Sequence, residues 1–357
     1  MSSGALKIGS VKGINITLHW TFLIMILISI FLSPFIFLII ILLFVCVLFH
    51  EFSHSITALR NNIGVSEIIL TPLGGASIID ELEVRPKTEF NISIAGPVMS
   101  LFLGGLFGIL SVLSPIGIIA LITQSLFEIN ILLGLLNLLP AFPMDGGRVF
   151  RSYLQRKRNF YDATIRTITI SNYVFAALIF GTLAYLLVIN QSFLYKEFFF
   201  FIVMITVIYL YGGAQAEKQS TIIKRDTEGE TIRSIVSKHF ILVDGSEKIS
   251  ALFDKMKKNG EHVIIAKTGN GYGSADLFRR DTFNKMAESV EEIITSIPTI
   301  SENSSLMDAM AATERGGLGV AAVTRRGKLV GIVSSQQLQT IIALHIINKY
   351  KRKEIKS

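Results

Sequence analysis

From Thr17 to Leu210 the chain is dominated by Leu, Ile, Phe and Val, and this block restricts its fold more than any other feature. A backbone that meets hydrocarbon must satisfy its own N–H and C=O groups, so it crosses a membrane as helices or as a closed barrel. One helical span takes roughly 17–25 mostly apolar residues. By that measure residues 16–56 hold two spans that turn at Ser33-Pro34. Four more fall near 92–113, 118–139, 168–189 and 198–211, with Pro140 breaking the fourth span. Residues 61–88, with TPLGGASII in the middle, read as short strands and a loop, and residues 151–166 as a polar, Arg-rich connection. The expectation is a polytopic α-helical membrane protein of about six spans, with a small β segment after the second.

Lys and Arg set the orientation, because they collect in cytoplasmic loops. Lys7 and Lys12 precede the first span and Arg60 follows the second. Arg148, Arg151, Arg156, Lys157 and Arg158 follow the fourth, and Lys218, Lys224 and Arg225 the sixth. Both termini are therefore expected in the cytoplasm, in a multi-pass protein of the cell membrane. The net charge of +7 lies largely beside apolar runs, which fits membrane topology rather than nucleic-acid binding. Cys46 is the single cysteine, which excludes an intramolecular disulfide and a Cys-rich zinc site. The N-terminal MSSGALKIGSVKGINI lacks the small-residue cleavage site of a secretory signal.

From Glu217 onward the composition is that of an ordinary soluble domain. The expected division is a membrane domain over 1–215, a charged linker over 216–230, a cytoplasmic domain over 231–342 and a basic tail over 343–357. Two segments of the cytoplasmic domain share a pattern of strand, turn and helix, with ISALFDKM and LMDAMAAT as the helices and GVAAVTR and KLVGIVSS as strands. Such an internal repeat implies two halves that pack as one small α/β domain. The tail INKYKRKEIKS is either solvated or rests on the anionic leaflet.

The chemistry is carried by FHEFSH in the second span. Positions i and i+4 of a helix share a face, so His50 and His54 converge on one point and can ligate zinc. Glu51 can then reach a water on the metal without being a ligand, and serve as general base. Three ionisable groups inside an apolar run each cost about 2.5 kcal/mol or more unless paired or functional, which weighs against a chance match. Catalytic zinc keeps three protein ligands and one open position. Asp145 in LLNLLPAFPMDGGR is the candidate third ligand; pairing with Arg148 or Arg151 is the alternative use of its carboxylate. The helix break at Pro140 and Pro143 is tolerated at membrane depth only inside protein or beside a water-filled cavity. Gly146 and Gly147 permit close backbone approach. Asn137 could donate to the oxyanion of the tetrahedral intermediate or bond helix to helix.

HEFSH together with NLLPAFPMDGGR resembles the site-2 protease family of intramembrane zinc metalloproteases, peptidase family M50. The short segments ITLHW, TPLGG and ISIAGPVMS add to the resemblance, which covers roughly residues 8–215. It implies that His50, His54 and Asp145 bind one Zn2+, that Glu51 is the catalytic glutamate and that Asn137 is the site asparagine. The implied activity is peptide-bond hydrolysis inside the transmembrane segment of a membrane-tethered regulator. A helical substrate must unwind first, and Gly74-Gly75 in TPLGGASII are a candidate sheet edge to hold it, or else a plain hairpin.

The C-terminal repeat resembles a pair of cystathionine-β-synthase (CBS) motifs, most clearly in KLVGIVSSQQL. That resemblance implies dimerisation, and with it a homodimeric enzyme gated by its cytoplasmic domain. It also admits an adenine nucleotide, although Gln336 or Gln337 stands where the family places a ribose-binding Asp and only Asp276 or Asp281 could substitute in the first repeat. A transporter or sensor with a CBS regulatory domain is the reading from another class. Cys46 reads as a small buried residue, His19 and Trp20 as an interfacial anchor (with a pore-side role for His19 as the alternative that the resemblance implies), Phe198–Phe201 as lipid-facing bulk, and His239 and His262 as surface or partly buried.

Overall fold

A computed structural model describes residues 5–11, 13–72, 74–79, 85–114, 117–189, 192–260, 263–268, 271–275, 289–315 and 317–354. The chain forms two compact units, the first running to Thr221 and the second starting at Ile222.

The first unit opens with strands β1 (Ala5–Val11) and β2 (Ile14–His19), followed by helices α1 (Trp20–Leu32) and α2 (Pro34–Arg60). Strands β3 (Val65–Thr71) and β4 (Gly74–Ile79) complete a four-stranded sheet in the order β1-β2-β3-β4. β2 and β3 run parallel and the outer pairs antiparallel, which leaves β4 as an edge. Alternation places Ile14, Ile16, Ile68 and Leu70 in one core with Phe22, Phe44 and Ala58 of α1 and α2.

The sequence assigned Ile16 onward to a first full span. Instead β2 takes the chain as far as His19, and α1 is left with 13 residues. At 1.5 Å per residue that is about 20 Å, short of the ~30 Å hydrocarbon core. His19 caps α1, its Nδ1 accepting from the Thr21 amide at 3.4 Å. The turn at Ser33-Pro34 forms as expected, with Ser33 Oγ accepting from the Phe35 amide at 3.2 Å and Pro34 opening α2.

Among the described residues, five helices are long and apolar enough to cross a membrane: α2, α3 (Pro86–Leu113), α4 (Ile118–Asn137), α6 (Phe160–Val188) and α7 (Phe193–Asp226). Their apolar side chains face outward, as Leu187 at 86% exposure and Val112 at 78% illustrate, and that surface requires lipid. Small residues bring α3 and α4 together. A Cβ at Gly104 would meet Ile131 at 2.8 Å, and one at Gly134 would meet Leu101 at 2.8 Å. The stretch 151–166, expected as a polar connection, instead closes helix α5 (Asp145–Leu154) and opens α6, with only residues 155–159 between the two helices. The charged residues 216–226 extend α7 rather than forming a linker, since Ala, Glu, Lys and Gln are good helix formers.

The second unit carries the expected repeat. Strand β5 (Ile241–Val243), helix α8 (Ile249–Asn259), strands β6 (Ile264–Thr268) and β7 (Gly271–Ala275), and then β8 (Ile294–Ile297) make up the first half. Strand β9 (Thr299–Ser301), helix α9 (Leu306–Arg315), strands β10 (Val320–Arg325) and β11 (Lys328–Ser334), and helix α10 (Ser335–Glu354) make up the second. In each half the first strand runs parallel to the second, and a hairpin follows. Ile265 and Ile297 of one sheet share a core with Ala322 and Ile332 of the other. Ile223 of α7 packs on the core of the second half, with Ile232, Leu306 and Val333. The tail is helical through Glu354 as part of α10.

Candidate functional site

His50 and His54 are 3% and 7% exposed, on the face of α2 that packs against α3. Their Nε2 atoms stand 3.0 Å and 3.2 Å from the same oxygen, Asp145 Oδ2. Among the described residues these three are the group of His, Cys, Asp and Glu side chains that could hold a metal, with one donor atom each and all donors within 4.8 Å of one another.

Both rings are held from behind by α3. His54 Nδ1 lies 2.7 Å from the Ile92 carbonyl, which only accepts, so Nδ1 carries the proton and Nε2 of the neutral ring keeps its lone pair. His50 Nδ1 lies 2.8 Å from Ser100 Oγ. Gly96 sits between these two anchors on the same helix. A Cβ there would stand 2.2 Å from His54 Nε2 and 2.5 Å from His50 Nε2, so only glycine leaves room for the rings.

Asp145 opens α5, and its position depends on the close approach that Gly146 and Gly147 allow. A Cβ at Gly146 would fall 2.2 Å from the Leu139 carbonyl, and one at Gly147 2.7 Å from Ala141. The turn is tied down further by the Phe142 amide, which donates to Ser171 Oγ of α6 at 2.9 Å. Pro143 packs where a side chain at Gly213 of α7 would otherwise be, 2.7 Å from the missing Cβ.

Two imidazole nitrogens and a carboxylate oxygen suit zinc in charge and softness, and they leave a fourth position for water or substrate. Ligands at about 2.0–2.1 Å around a tetrahedral ion stand ~3.3 Å apart, close to the observed separations. The residues present therefore fit the metal. Outer partners of ligating histidines commonly govern affinity about 10–100-fold. Ser100→Ala is accordingly expected to weaken zinc binding about tenfold, measured by competition with a chromophoric chelator.

Glu51 is turned about 100° around α2 from His50, and its side chain lies against β4. A Cβ at Gly75 would lie 2.3 Å from Glu51 Cγ and 3.0 Å from Oε1, so the edge strand runs directly over this carboxylate. Gly74 has φ +134°, a backbone conformation open to glycine alone in practice. Asn137 ends α4, and its amide donates to the Leu133 carbonyl of its own helix at 3.0 Å. Cys46 is buried outside the cluster and receives a hydrogen bond from Asn130 at 3.0 Å.

Arg151 does not pair with Asp145. Its guanidinium is bonded to Glu89 of α3 and Glu217 of α7. Burial disfavours that charge, but the two carboxylates outweigh burial and raise the guanidinium pKa above its usual value. The sequence reading missed Gly96, Ser100 and this ion network; ISIAGPVMS was the signal available for the first two. In the second unit the Gln337 amide donates to the Ile235 carbonyl at 2.7 Å, while Asp276, Asp281 and His262 lie outside the described residues. His239 is exposed.

The sequence model of peptidase family M50 matches residues 38–124 and 113–182, and that of the CBS domain matches 290–343. A zinc metalloprotease of Methanocaldococcus jannaschii is 29% identical over 348 residues, 94% of this chain and 95% of the relative. Stage IV sporulation protein FB of Bacillus subtilis is 33% identical over 112 residues, 30% of this chain and 37% of that protein. The solved site-2 protease from Methanocaldococcus jannaschii is 32% identical, covering 60% of this chain and 95% of its own, with a TM-score of 0.45. Residues 38–182 carry the sequence pattern of peptidase family M50, and the chain is a zinc metalloprotease of the site-2 protease type that carries a CBS domain.

Proposed function

We propose that the protein is an intramembrane endopeptidase that cuts the transmembrane segments of membrane-tethered regulatory proteins. The observation that carries the proposal is the buried His50–His54–Asp145 cluster inside a lipid-facing helix bundle, with an open strand edge beside Glu51. His50, His54 and Asp145 are assigned as the zinc ligands. Zinc so held supplies a Lewis acid and lowers the pKa of water to about 7.

Glu51 takes the proton of the attacking water and returns it to the leaving amine. Asn137 has two N–H groups on its amide and gives one to Leu133, so the second is assigned to the developing oxyanion. The outer edge of β4 at Gly74 and Gly75 is assigned as the substrate-binding strand. An unwound peptide that pairs there exposes its carbonyl next to Glu51 and gains main-chain hydrogen bonds in place of its lost helix.

The protein is placed in the cell membrane with both termini cytoplasmic. The CBS-like pair is proposed to dimerise and to gate cleavage, with an adenine nucleotide as the candidate signal. Gln337 is held by Ile235, so the ribose would need other partners.

The test uses the purified protein in liposomes with a single-span substrate, and maps the products by mass spectrometry. The new termini are expected inside the apolar span, with activity lost to a chelator and restored by zinc. Cuts confined to the flanking soluble segments would overturn the intramembrane assignment.

A further inference from the structure

The hairpin turn between β10 and β11 reads Arg325-Arg326-Gly327-Lys328, and beside it the C-terminal unit has a cavity of about 800 Å³. Arg325, Arg326 and Lys328 line that cavity, and Arg233 joins them from the short 3-10 turn at Ile232–Ser234. Arg233 is brought there by the backbone, since the Ile232 amide donates to the Ser304 carbonyl at 3.1 Å. The carboxylate on the cavity wall is Glu302, which is 8% exposed and accepts from Arg325 Nε at 2.6 Å. That hydrogen bond, joined by the charges of Arg325 and Arg233, outweighs burial and holds the Glu302 carboxyl below its usual range. Glu302 is therefore ionised and cancels one charge, so four cations less one carboxylate leave three positive charges on the wall. Among the described residues, Arg326 and Lys328 have neither an ion pair nor a side-chain hydrogen bond.

The turn itself favours other residues. Arg325 and Lys328 pair across the hairpin, and Arg326 and Gly327 between them have φ of +50° and +79°. Gly and Asn suit both central positions of such a turn, because a Cβ crowds the backbone at positive φ. Arginine at 326 thus works against the fold while adding a guanidinium to the cavity. Guanidinium groups grip phosphate oxygens two at a time. Small-molecule sites run from roughly 300 to 1,000 Å³, and this cavity is in that range and larger than one phosphate fills.

We propose that the cavity binds the di- or triphosphate group of a soluble ligand. It is not the cleft that the CBS resemblance would offer to a nucleotide. That cleft belongs to the far end of β11, where Ser334 Oγ accepts from the Gln337 amide at 3.2 Å. At ~3.4 Å per residue, the strand puts roughly 20 Å between Lys328 and Ser334.

Inorganic triphosphate is the probe, titrated by calorimetry into the full-length protein in phosphatidylcholine nanodiscs. Arg326→Asn removes a charge without opposing the turn, because Asn tolerates positive φ. It is expected to weaken triphosphate binding about tenfold, the loss of one charge-assisted contact. Adding Arg233→Gln and Lys328→Gln should bring the loss beyond about a hundredfold. Glu302→Gln removes the opposing charge and should tighten binding about threefold, a gain that misfolding does not produce. Gln336→Ala, at the start of α10 beyond the far end of β11, should leave the affinity unchanged. A triple variant that binds like wild type, or a loss that follows Gln336→Ala instead, would overturn the site. Weaker binding in Glu302→Gln would show that charge is not what the cavity reads. Binding abolished when phosphatidylglycerol replaces phosphatidylcholine would give the cations to lipid headgroups and overturn the soluble ligand.

Discussion

Glu51→Gln is expected to bind zinc as the wild type does and to cleave at least about a hundredfold more slowly. The carboxylate is one residue from His50 but is not one of the His50–His54–Asp145 donors, and Gly75 lies against its side chain. Glutamine has nearly the same shape, so it preserves the packing against β4 and leaves the metal donors alone. What it removes is the ability to accept a proton from water, and general acid–base catalysis of this kind is worth about 10²–10⁴-fold. Initial rates on a single-span substrate, with zinc content determined on the same samples, read both halves of the expectation. A zinc-loaded Gln variant that cleaves at the wild-type rate would remove Glu51 from the chemistry.

The second large effect is expected from the smallest substitution. Gly96→Ala adds one methyl group to α3, at a point 2.2 Å from His54 Nε2 and 2.5 Å from His50 Nε2. The rings cannot retreat cheaply, because Ile92 and Ser100 on the same helix hold their far nitrogens at 2.7 Å and 2.8 Å. Either those bonds break or α3 withdraws from α2, and in both cases the donors leave Asp145. Zinc affinity is expected to fall by more than about tenfold, and cleavage with it. Gly105→Ala is the control, since a Cβ at that position of the same helix meets nothing within 4 Å. That variant should keep zinc and activity. If Gly96→Ala also kept both, the packing of α3 against the histidines would not be what holds them in register.

Much of the site was legible because its information is local. A helix brings positions 50 and 54 together whatever surrounds it, and Asp145 is the one carboxylate near the break at Pro140 and Pro143. Gly96 and Ser100 were not legible as parts of the site, since their roles exist only once α3 lies across α2. Arg151 was read as a loop cation or a partner of Asp145. Its true partners, Glu89 and Glu217, are 62 and 66 residues away. In the fold, the boundary between β2 and α1 leaves no mark in the sequence, because a short apolar run such as INITLH suits a buried strand as well as a helix. The continuation of α7 through 216–226 was read as a linker from its charge, although its residue types favour a helix. The repeat in the C-terminal unit was recovered from pattern alone, because strand, helix and hairpin each leave a periodic signature.

The central claim, that one zinc ion is held by His50, His54 and Asp145, is tested most directly by X-ray absorption at the zinc edge on the purified protein, with the metal counted per chain. One zinc per chain is expected, with only nitrogen and oxygen neighbours at about 2.0–2.2 Å, and with the signal lost in Asp145→Asn. A sulfur neighbour at about 2.3 Å would instead put Cys46 on the metal, and a wild-type spectrum in Asp145→Asn would put the third ligand elsewhere; either result contradicts the site described here.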